Sequence, residues 1–313
     1  MDAQVAKTDK TGWFKRTGWL EHFANRNLMH LAHQTRLPDR GEEKLRRAAK
    51  RTELLVERSV KGLSTLARET RRWLRSAKRQ EIDPRPIARL QNPESQARYA
   101  GYMVKFVCYV LRLVADAKAI VAAQEGGNEG SDEEDKGDED SLEEEVGEEE
   151  EIDDDDDFSD ADSSRPANIP SSRRQEKDLM KDARELFCWT VEQGECALAL
   201  WGVLDRDAGN NEAQREAQLE ALLNLLTSFF FTTTGDKPFD SGLFHFLAVL
   251  GIDSDTNRLR TAKNYSYMLA GVVYCMRVLS VEKLLPSARR DEQTDEDRAR
   301  FLAHREKYLA DGS

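Results

Sequence analysis

The charge of this chain falls into three consecutive blocks, and this division limits what each block can fold into. Residues 125–164 carry 23 Asp and Glu against one Lys. Residues 1–124 carry 26 Lys and Arg against 13 Asp and Glu, whereas residues 165–313 are nearly balanced, with 20 against 23. A dense block of like charge repels itself and has too little apolar surface to offset the entropy of ordering. The pattern therefore predicts two folded parts joined by a disordered acidic linker.

The predicted fold class is all-α, with a long α-hairpin in the first part and a helical bundle in the second. A length of 313 residues suits about two domains. On both sides of the linker, apolar residues recur at spacings of three and four, as in amphipathic helices. The predicted regions are a disordered tail at 1–11, a basic helical region at 12–124, the acidic linker at 125–174, a helical core region at 175–286 and a polar C-terminal helix or tail at 287–313.

The α-hairpin is predicted from two long amphipathic segments. The first covers about 42–79, where good helix formers dominate and Gly62 is the one weak interior point. A proline-rich loop ends it, because proline blocks helix continuation. The second segment covers about 92–124, with Asn92 as the N-cap and Pro93 at the first helical position.

The second part is predicted to contain further helices. We place them at about 175–207, with a kink at Gly194, and at about 212–231, 262–285 and 294–309. The 262–285 helix is almost entirely apolar, which is typical of a helix covered on every side. We therefore expect it to be central to the core and to bring the two parts into contact.

The histidines are predicted to be structural. His245 lies in an apolar run, where a hydrogen-bonded core histidine is the expected role. His30 and His33 are three residues apart with His22 near in sequence, but a metal needs three or four converging ligands. We therefore predict a partly exposed face for these three residues and no metal site.

Tryptophans and cysteines are also assigned to the core. Trp13 and Trp19 lie close together, and each can bury a large area, so they are expected to anchor a short segment; the alternative is an aromatic platform for a base or phosphate. The cysteines form no CxxC pair and lie in apolar stretches, so reduced core thiols are expected. These cysteines are Cys108, Cys188, Cys196 and Cys275.

Motifs that carry catalytic chemistry are absent from the sequence. It has no GxxxxGK[ST], GxGxxG, HExxH or GxSxG motif. The carboxylates of the linker are predicted to be too mobile for a positioned acid–base pair. We therefore predict that the protein is not an enzyme and holds no cofactor. Without a signal peptide or a run of 18 apolar residues, no membrane association is expected, and the predicted location is nuclear, with the cytoplasm as the alternative.

The strongest functional signal is the density of cations on the predicted 42–79 helix. Lysine and arginine at this density can neutralise several phosphates, which is the sequence-independent part of nucleic-acid affinity. The alternative is a solvated face, or a face that pairs with the acidic linker. The predicted nucleic-acid-binding residues are Arg46, Arg47, Lys50, Arg51, Arg68, Arg71, Arg72, Arg75, Lys78 and Arg79.

The acidic linker allows two interpretations. It can be a solvated spacer, or it can be a functional polyanion that binds histones or other basic proteins, or that shields the basic helix by mimicking DNA. Ser131, Ser141 and Ser159 each precede acidic residues, and phosphorylation there would deepen the negative charge.

Several short motifs resemble those of a group of fungal proteins from mobile-element or subtelomeric genes. In that group such a helical region lies near zinc-finger-like segments and, in some members, RecQ-like helicase domains. The resemblance implies a nuclear, DNA-associated setting for a helical region without catalytic residues. The motifs are RTGW at 16–19, SQARY at 95–99, KFVCYVLR at 105–112, FLAVLG at 246–251, and AKNY at 262–265 with RVLSV at 277–281.

The leading functional prediction is a non-enzymatic nuclear module that contacts nucleic acid without sequence preference through the basic helix. It would be a fragment or a relative of helicase-associated proteins. Two alternatives stay open: a scaffold that binds histones or basic proteins through the acidic linker, and a mobile-element remnant without a present role.

Overall fold

The computed structural model describes seven stretches of the chain. The predicted tail at 1–11, nearly all of the acidic linker, and Lys78 and Arg79 lie outside them. The described stretches are residues 12–76, 81–90, 92–125, 173–205, 211–233, 235–286 and 294–308.

The fold is all-α, as predicted. The described residues also form one two-stranded antiparallel hairpin, in which β1 (Ile252–Asp253) pairs with β2 (Arg258–Leu259). Two short 3-10 helices cover Leu63–Thr65 and Pro238–Asp240. The α-helices are α1 Trp13–Thr17, α2 Trp19–His22, α3 Leu28–Gln34, α4 Glu43–Gly62, α5 Arg68–Arg75, α6 Pro93–Glu125, α7 Arg173–Leu186, α8 Val191–Val203, α9 Glu212–Phe230, α10 Gly242–Leu250, α11 Ala262–Leu284 and α12 Asp295–Tyr308.

The two longest helices that the structure describes form within one or two residues of their predicted bounds. Helix α6 begins at Pro93, and the Asn92 side chain accepts the Glu94 backbone N–H at 2.9 Å, as the capping prediction requires. Helix α11 covers the predicted apolar segment, with Val272, Cys275 and Leu279 fully buried. Its cover is incomplete, however, because Tyr267 on the same helix is 50% exposed.

The single helix predicted over 42–79 is wrong. Helix α4 ends at Gly62, a 3-10 turn follows, and α5 starts at Arg68. The Ser64 and Thr65 hydroxyls donate to the backbone carbonyls of Lys61 and Gly62 at 2.8 and 2.9 Å. Such local bonds compete with the helical pattern, and they act here beside the glycine, which is a poor helix former.

The single helix predicted over 175–207 is also wrong. Helix α7 ends at Leu186 and α8 begins at Val191, so the break precedes the kink predicted at Gly194. Thr190 and Gln193 form a capping box, in which each side chain accepts the other residue's backbone N–H. This box starts a new helix, because it satisfies two N–H groups that the first turn leaves without partners.

Both parts of the chain contribute to one hydrophobic core. Helix α6 packs against α4 on one side and α11 on the other, and α11 also contacts α4 and α9. The contact between α6 and α11 is close, because an added Cβ at Gly271 would lie 2.7 Å from the Tyr99 ring. The apolar 262–285 segment therefore joins the two parts.

Trp19 anchors the N-terminal segment onto this core, as predicted. Its ring is 5% exposed and meets the rings of Trp13 at 5.7 Å and Tyr265 at 4.9 Å between centroids. Gly251 is buried against the same indole, and an added Cβ there would lie 2.4 Å from the Trp19 ring.

Replacing Gly251 with alanine is expected to lower the free energy of unfolding by about 1–3 kcal/mol, the usual cost of overpacking a core. Gly194 offers a matched control, since it lies inside α8 and its Cβ would meet nothing within 4 Å. Gly194→Ala is expected to stabilise the protein by about 0.5–1 kcal/mol through its better helix propensity. Urea unfolding of both variants checks this pair, and equal effects would contradict the packing argument.

His245 is a hydrogen-bonded core histidine, as predicted. It is fully buried, with Nδ1 2.8 Å from His22 Nε2 and Nε2 2.7 Å from the Tyr109 hydroxyl. Both contacts are satisfied with neutral rings if the Tyr109 hydroxyl donates to His245 Nε2 and His245 Nδ1 donates to His22. Phe239 stacks on the His22 ring with centroids 3.8 Å apart.

The cysteine prediction is confirmed for two thiols and wrong for one. Cys108 and Cys275 are buried, but Cys188 is exposed because it lies in the break between α7 and α8. Across the stretches that the structure describes, no three His, Cys, Asp or Glu side chains are grouped so that they could hold a metal ion. None of the described helices is both long and apolar enough to span a bilayer.

Candidate nucleic-acid interface

The N-terminal end of α4 directs its cations toward the second half of the chain. Lys44 forms an ion pair with Asp205, and its ammonium lies 4.3 Å from the centre of the Trp201 ring. Arg47 donates to the backbone carbonyls of Leu204 and Asp205 at 2.6 and 3.1 Å. Arg47, a predicted binding residue, therefore fixes α4 to the end of α8.

The middle of α4 is joined to α9 and α11 in the same way. The predicted residue Arg51 donates to the Gln218 side chain at 2.8 Å. Arg58 binds both carboxylate oxygens of Glu216, at 2.9 and 2.8 Å, and lies 3.6 Å from the buried Glu282. Arg58 uses Nη1 for Glu216 and Nε for Glu282, so one guanidinium joins α4 to both α9 and α11, and these cations serve the fold.

Two predicted residues of α4 remain on the solvent side. Arg46 pairs with Glu43 one turn earlier, but the two side chains are 40% and 60% exposed. An exposed pair of this type contributes little and can be exchanged for another partner. Lys50 is exposed and makes no ion pair with the described residues. Arg46 and Lys50 are therefore the predicted cations of α4 that make no polar contact with another described helix.

Helix α5 and the loop after it carry a second group of predicted residues. Arg68 is exposed, and no described residue forms an ion pair with it. Arg72 donates to the Asp83 backbone carbonyl at 3.0 Å, and Arg75 pairs with the Asp83 carboxylate at 3.2 Å. The loop at 81–90 is held to α5 by a hydrogen bond from the Ile87 N–H to the Arg71 carbonyl at 2.9 Å.

An arginine from α11 completes this group. The pKa of Arg277 is lowered by burial and then by the charge of Arg75, with Asp83 acting in the opposite direction. Arg71 lies one turn before Arg75 on the same face of α5, and its Nε is buried without a hydrogen-bond partner among the described residues. We call Arg71, Arg75 and Arg277 the α5–α11 arginine cluster.

This cluster is short of negative charge. Arg75 and Arg277 share the single carboxylate of Asp83, and the described part of the chain provides no further ion pair for Arg277. Arg85 and Arg89 are exposed on the adjoining loop. Like charges held together without compensation repel one another, and a bound anion relieves that repulsion.

Sequence reasoning identified Arg71 and Arg75 but missed Arg277, which lies about 200 residues downstream of them. The sequence did contain a feature that singles out Arg277, because this residue is a cation inside a helix that is otherwise almost apolar. A charge in such a helix requires a partner or an exit to solvent. What the sequence does not contain is the pairing of α11 with α5.

No protein-family model matches this chain, and no curated protein or solved structure shows significant similarity to it. The candidate interface therefore depends on the geometry and chemistry of this chain's own residues. The resemblance to fungal helicase-associated proteins stays a prediction.

Proposed function

We propose that this protein is a non-enzymatic nuclear module that binds the phosphate backbone of nucleic acids. The binding surface consists of α5, the 81–90 loop and Arg277. The observation that supports this proposal most directly is the α5–α11 arginine cluster, in which Asp83 pairs with Arg75 and the half-buried Arg277 makes no ion pair with any described residue.

Phosphate is the anion that this surface fits best. A guanidinium presents parallel N–H donors that match the oxygens of a phosphate, and it stays charged when partly buried. Arg68, Arg85 and Arg89 extend the exposed positive charge around the cluster. A repeated phosphate backbone can contact all of these groups without any base being read, so binding without sequence preference is expected.

The cations of α4 have a different role in this proposal. Arg47 and Arg51 already bind groups of α8 and α9, so they are unavailable for a ligand without loss of internal contacts. This narrows the surface predicted from sequence to its α5 end, with Arg46 and Lys50 as a separate exposed pair.

A titration of a labelled nucleic acid across salt concentrations tests this assignment. Each phosphate contact that is lost reduces the slope of log affinity against log salt by about 0.9. We expect Arg71→Gln with Arg277→Gln to reduce the slope by roughly 2. The matched control is Arg46→Gln with Lys50→Gln, which removes two charges from α4 and is expected to leave the slope near that of the wild-type protein.

Folding can be separated from binding in the same experiment. The charge of Arg75 acts against that of Arg277, and the Arg71 Nε has no hydrogen-bond partner among the described residues, so the double variant is expected to keep the wild-type melting temperature. Because a polyanion in the same chain can compete for these cations, as one interpretation of the acidic segment holds, the titration is repeated with residues 128–162 removed. Failure of both proteins to bind at low salt, or an equal loss in the α4 control, would contradict the proposal.

A further inference from the structure

The solvent-facing stripe of α11 alternates cations and tyrosines. Lys263, Tyr267, Tyr274 and Arg277 follow at spacings of four, seven and three residues, which places them along one side of a helix. Lys263 and Tyr267 are exposed, and Tyr274 and Arg277 are half-buried. Between Lys263 and Arg277 the helix rises by roughly 21 Å.

A second row with the same composition lies on α6. Arg98, Tyr102 and Lys105 follow at spacings of four and three, and Tyr99 adjoins them. The Tyr99 ring lies 6.4 Å from Tyr102 and 5.8 Å from Tyr274 of α11 between centroids. The two rows therefore face each other across the α6–α11 contact.

Tyr267, Arg98 and Arg260 all act electrostatically on the Tyr102 phenol. Burial raises the pKa of the Tyr102 phenol, and Tyr267 raises it further, while Arg98 and Arg260 act in the opposite direction. Tyr267 is 50% exposed, and its hydroxyl has no hydrogen-bond partner among the residues that the structure describes. An exposed tyrosine ring on a surface that also carries arginines is suitable for a nucleobase, because the ring can stack on the base while the arginines contact its phosphates.

The tyrosine row continues into the proposed phosphate-binding surface. The Tyr274 hydroxyl donates to the Ala88 carbonyl at 3.1 Å, which fixes this ring to the 81–90 loop. One turn further along α11 lies Arg277 of the α5–α11 arginine cluster. The cations of α5 and the tyrosines of α6 and α11 therefore form one continuous surface.

At the end of this surface opposite α5, Lys105 and Arg260 form a second pair of cations with few carboxylate partners. The pKa of Lys105 is lowered by burial and by the charge of Arg260. Arg260 pairs with Asp253 at 3.0 Å, but its Nε is buried without a described hydrogen-bond partner. Among the described residues, Arg260 therefore has one carboxylate partner, and Lys105 makes no ion pair at all.

We infer that the ligand of this surface is a single-stranded nucleic acid, whose bases stack on the exposed Tyr267 and on the accessible parts of the half-buried Tyr99 and Tyr274 while its phosphates lie along the flanking cations. This inference rests on the proposed function and specifies its substrate. A duplex keeps its bases stacked inside, so tyrosines on a helix face cannot reach them. Alternating cations and exposed aromatic rings are the combination that single strands use, because every base has a face on which an aromatic ring can stack.

Binding of a 12-nucleotide single strand and of a 12-base-pair duplex to the full chain, at the same salt concentration, tests this inference. We expect the single strand to bind at least about tenfold more tightly. Tyr267→Ala is expected to weaken single-strand binding about tenfold and to leave duplex binding unchanged, whereas Tyr267→Phe keeps the ring and the affinity. Phe244→Ala is the control, because Phe244 is another exposed ring, 42% exposed, on α10 outside this surface.

The outcomes separate this inference from the proposed function. Equal affinity for single strand and duplex, with a normal salt slope and no effect of Tyr267→Ala, overturns the inference and leaves the phosphate-binding proposal standing. Loss of affinity in both Tyr267→Ala and Tyr267→Phe also overturns it, because the stacking ring is then not the determinant. Binding of neither nucleic acid overturns both.

Discussion

Replacing Arg112 with methionine is expected to lower the free energy of unfolding by about 3–5 kcal/mol, one of the largest effects of any single substitution in this protein. Arg112 lies in the middle of α6 and is 6% exposed. Its Nε and Nη2 donate to the two carboxylate oxygens of Glu42, both at 2.9 Å. Its removal leaves a partly buried carboxylate without its main partner, which is the situation that makes broken buried pairs costly.

Arg112 also holds the segment that leads from α3 into α4. Its Nη1 donates to the backbone carbonyls of Gln34 and Arg36, at 2.6 and 3.0 Å. These carbonyls lie at the end of α3, where the helix provides no partners of its own. Burial acts to raise the pKa of Glu42, but the hydrogen bonds from Arg112 and the Asp39 N–H, together with the charges of Arg112 and Arg36, outweigh it, and the pKa is lowered. The ion pair is therefore charged, and Arg112 connects three helices through one guanidinium.

Urea unfolding followed by tryptophan fluorescence measures this effect. Arg298→Met is the matched control, because Arg298 makes an ion pair with Asp295 while the two side chains are 65% and 101% exposed. A change below about 0.5 kcal/mol is expected there. Adding Glu42→Gln to Arg112→Met should recover part of the loss, since no unpaired charge then remains. If Arg112→Met costs no more than Arg298→Met, the connecting role assigned to Arg112 is wrong.

Helices whose ends are encoded locally were predictable from the sequence. Asn92 and Pro93 start α6 where capping rules place the start. At the start of α12, the Asp297 N–H donates to Thr294 Oγ1 at 3.2 Å, which is a local capping contact of the same kind. The breaks between α4 and α5 and between α7 and α8 were missed. At both breaks, the helix ends or begins where a hydroxyl side chain, such as that of Ser64 or Thr190, forms a local hydrogen bond. The apolar spacing of the sequence continues through each break, so it gave no sign of either one.

The site was predictable only in part, because charge density in sequence does not reveal which cations find internal partners. Arg47 and Arg51 bind groups on α8 and α9, more than 150 residues away in sequence. Such partners are fixed by tertiary packing, which periodicity does not encode. Arg71 and Arg75 were identified by density alone, whereas Arg277 and Tyr267 became part of the surface only through the contact of α11 with α5 and α6.

Acidification is expected to destabilise the protein through the two histidines that bond to each other in the core. The pKa of His22 is lowered from 6.5 to about 4, first by burial and then by the charge of Arg26. The pKa of His245 is lowered to about 3, again by burial and then by His22. Below pH 6.5 the unfolded chain binds protons that the folded chain does not, so the free energy of unfolding falls with pH.

The size of this loss follows from the unfolded pKa of 6.5. One pH unit below it, the buried His245 accounts for on the order of 1 kcal/mol and the partly exposed His22 for less, so the pair costs on the order of 2 kcal/mol near pH 5.5. The loss continues to grow until the pH reaches the folded-state pKa values. His33, whose pKa is lowered first by burial, contributes in the same direction. The groups that face the pair are the Tyr109 hydroxyl at 2.7 Å from His245 and the Arg26 guanidinium near His22.

Urea unfolding between pH 5 and pH 8 distinguishes this pair from other titrating groups. His22→Gln with His245→Gln is expected to flatten the dependence of the free energy of unfolding on pH. The pH dependence that remains is expected to come from His33. Tyr109→Phe is the control, because it removes a hydrogen bond to His245 while both imidazoles stay buried; the protein should be less stable at every pH with an unchanged slope. A double variant that loses stability with acid as steeply as the wild-type protein would show that the proton uptake on unfolding comes from elsewhere. The wild-type slope is expected because the buried Tyr109–His245–His22 chain keeps its hydrogen bonds with neutral rings, whereas burial disfavours the charged imidazolium form of either histidine.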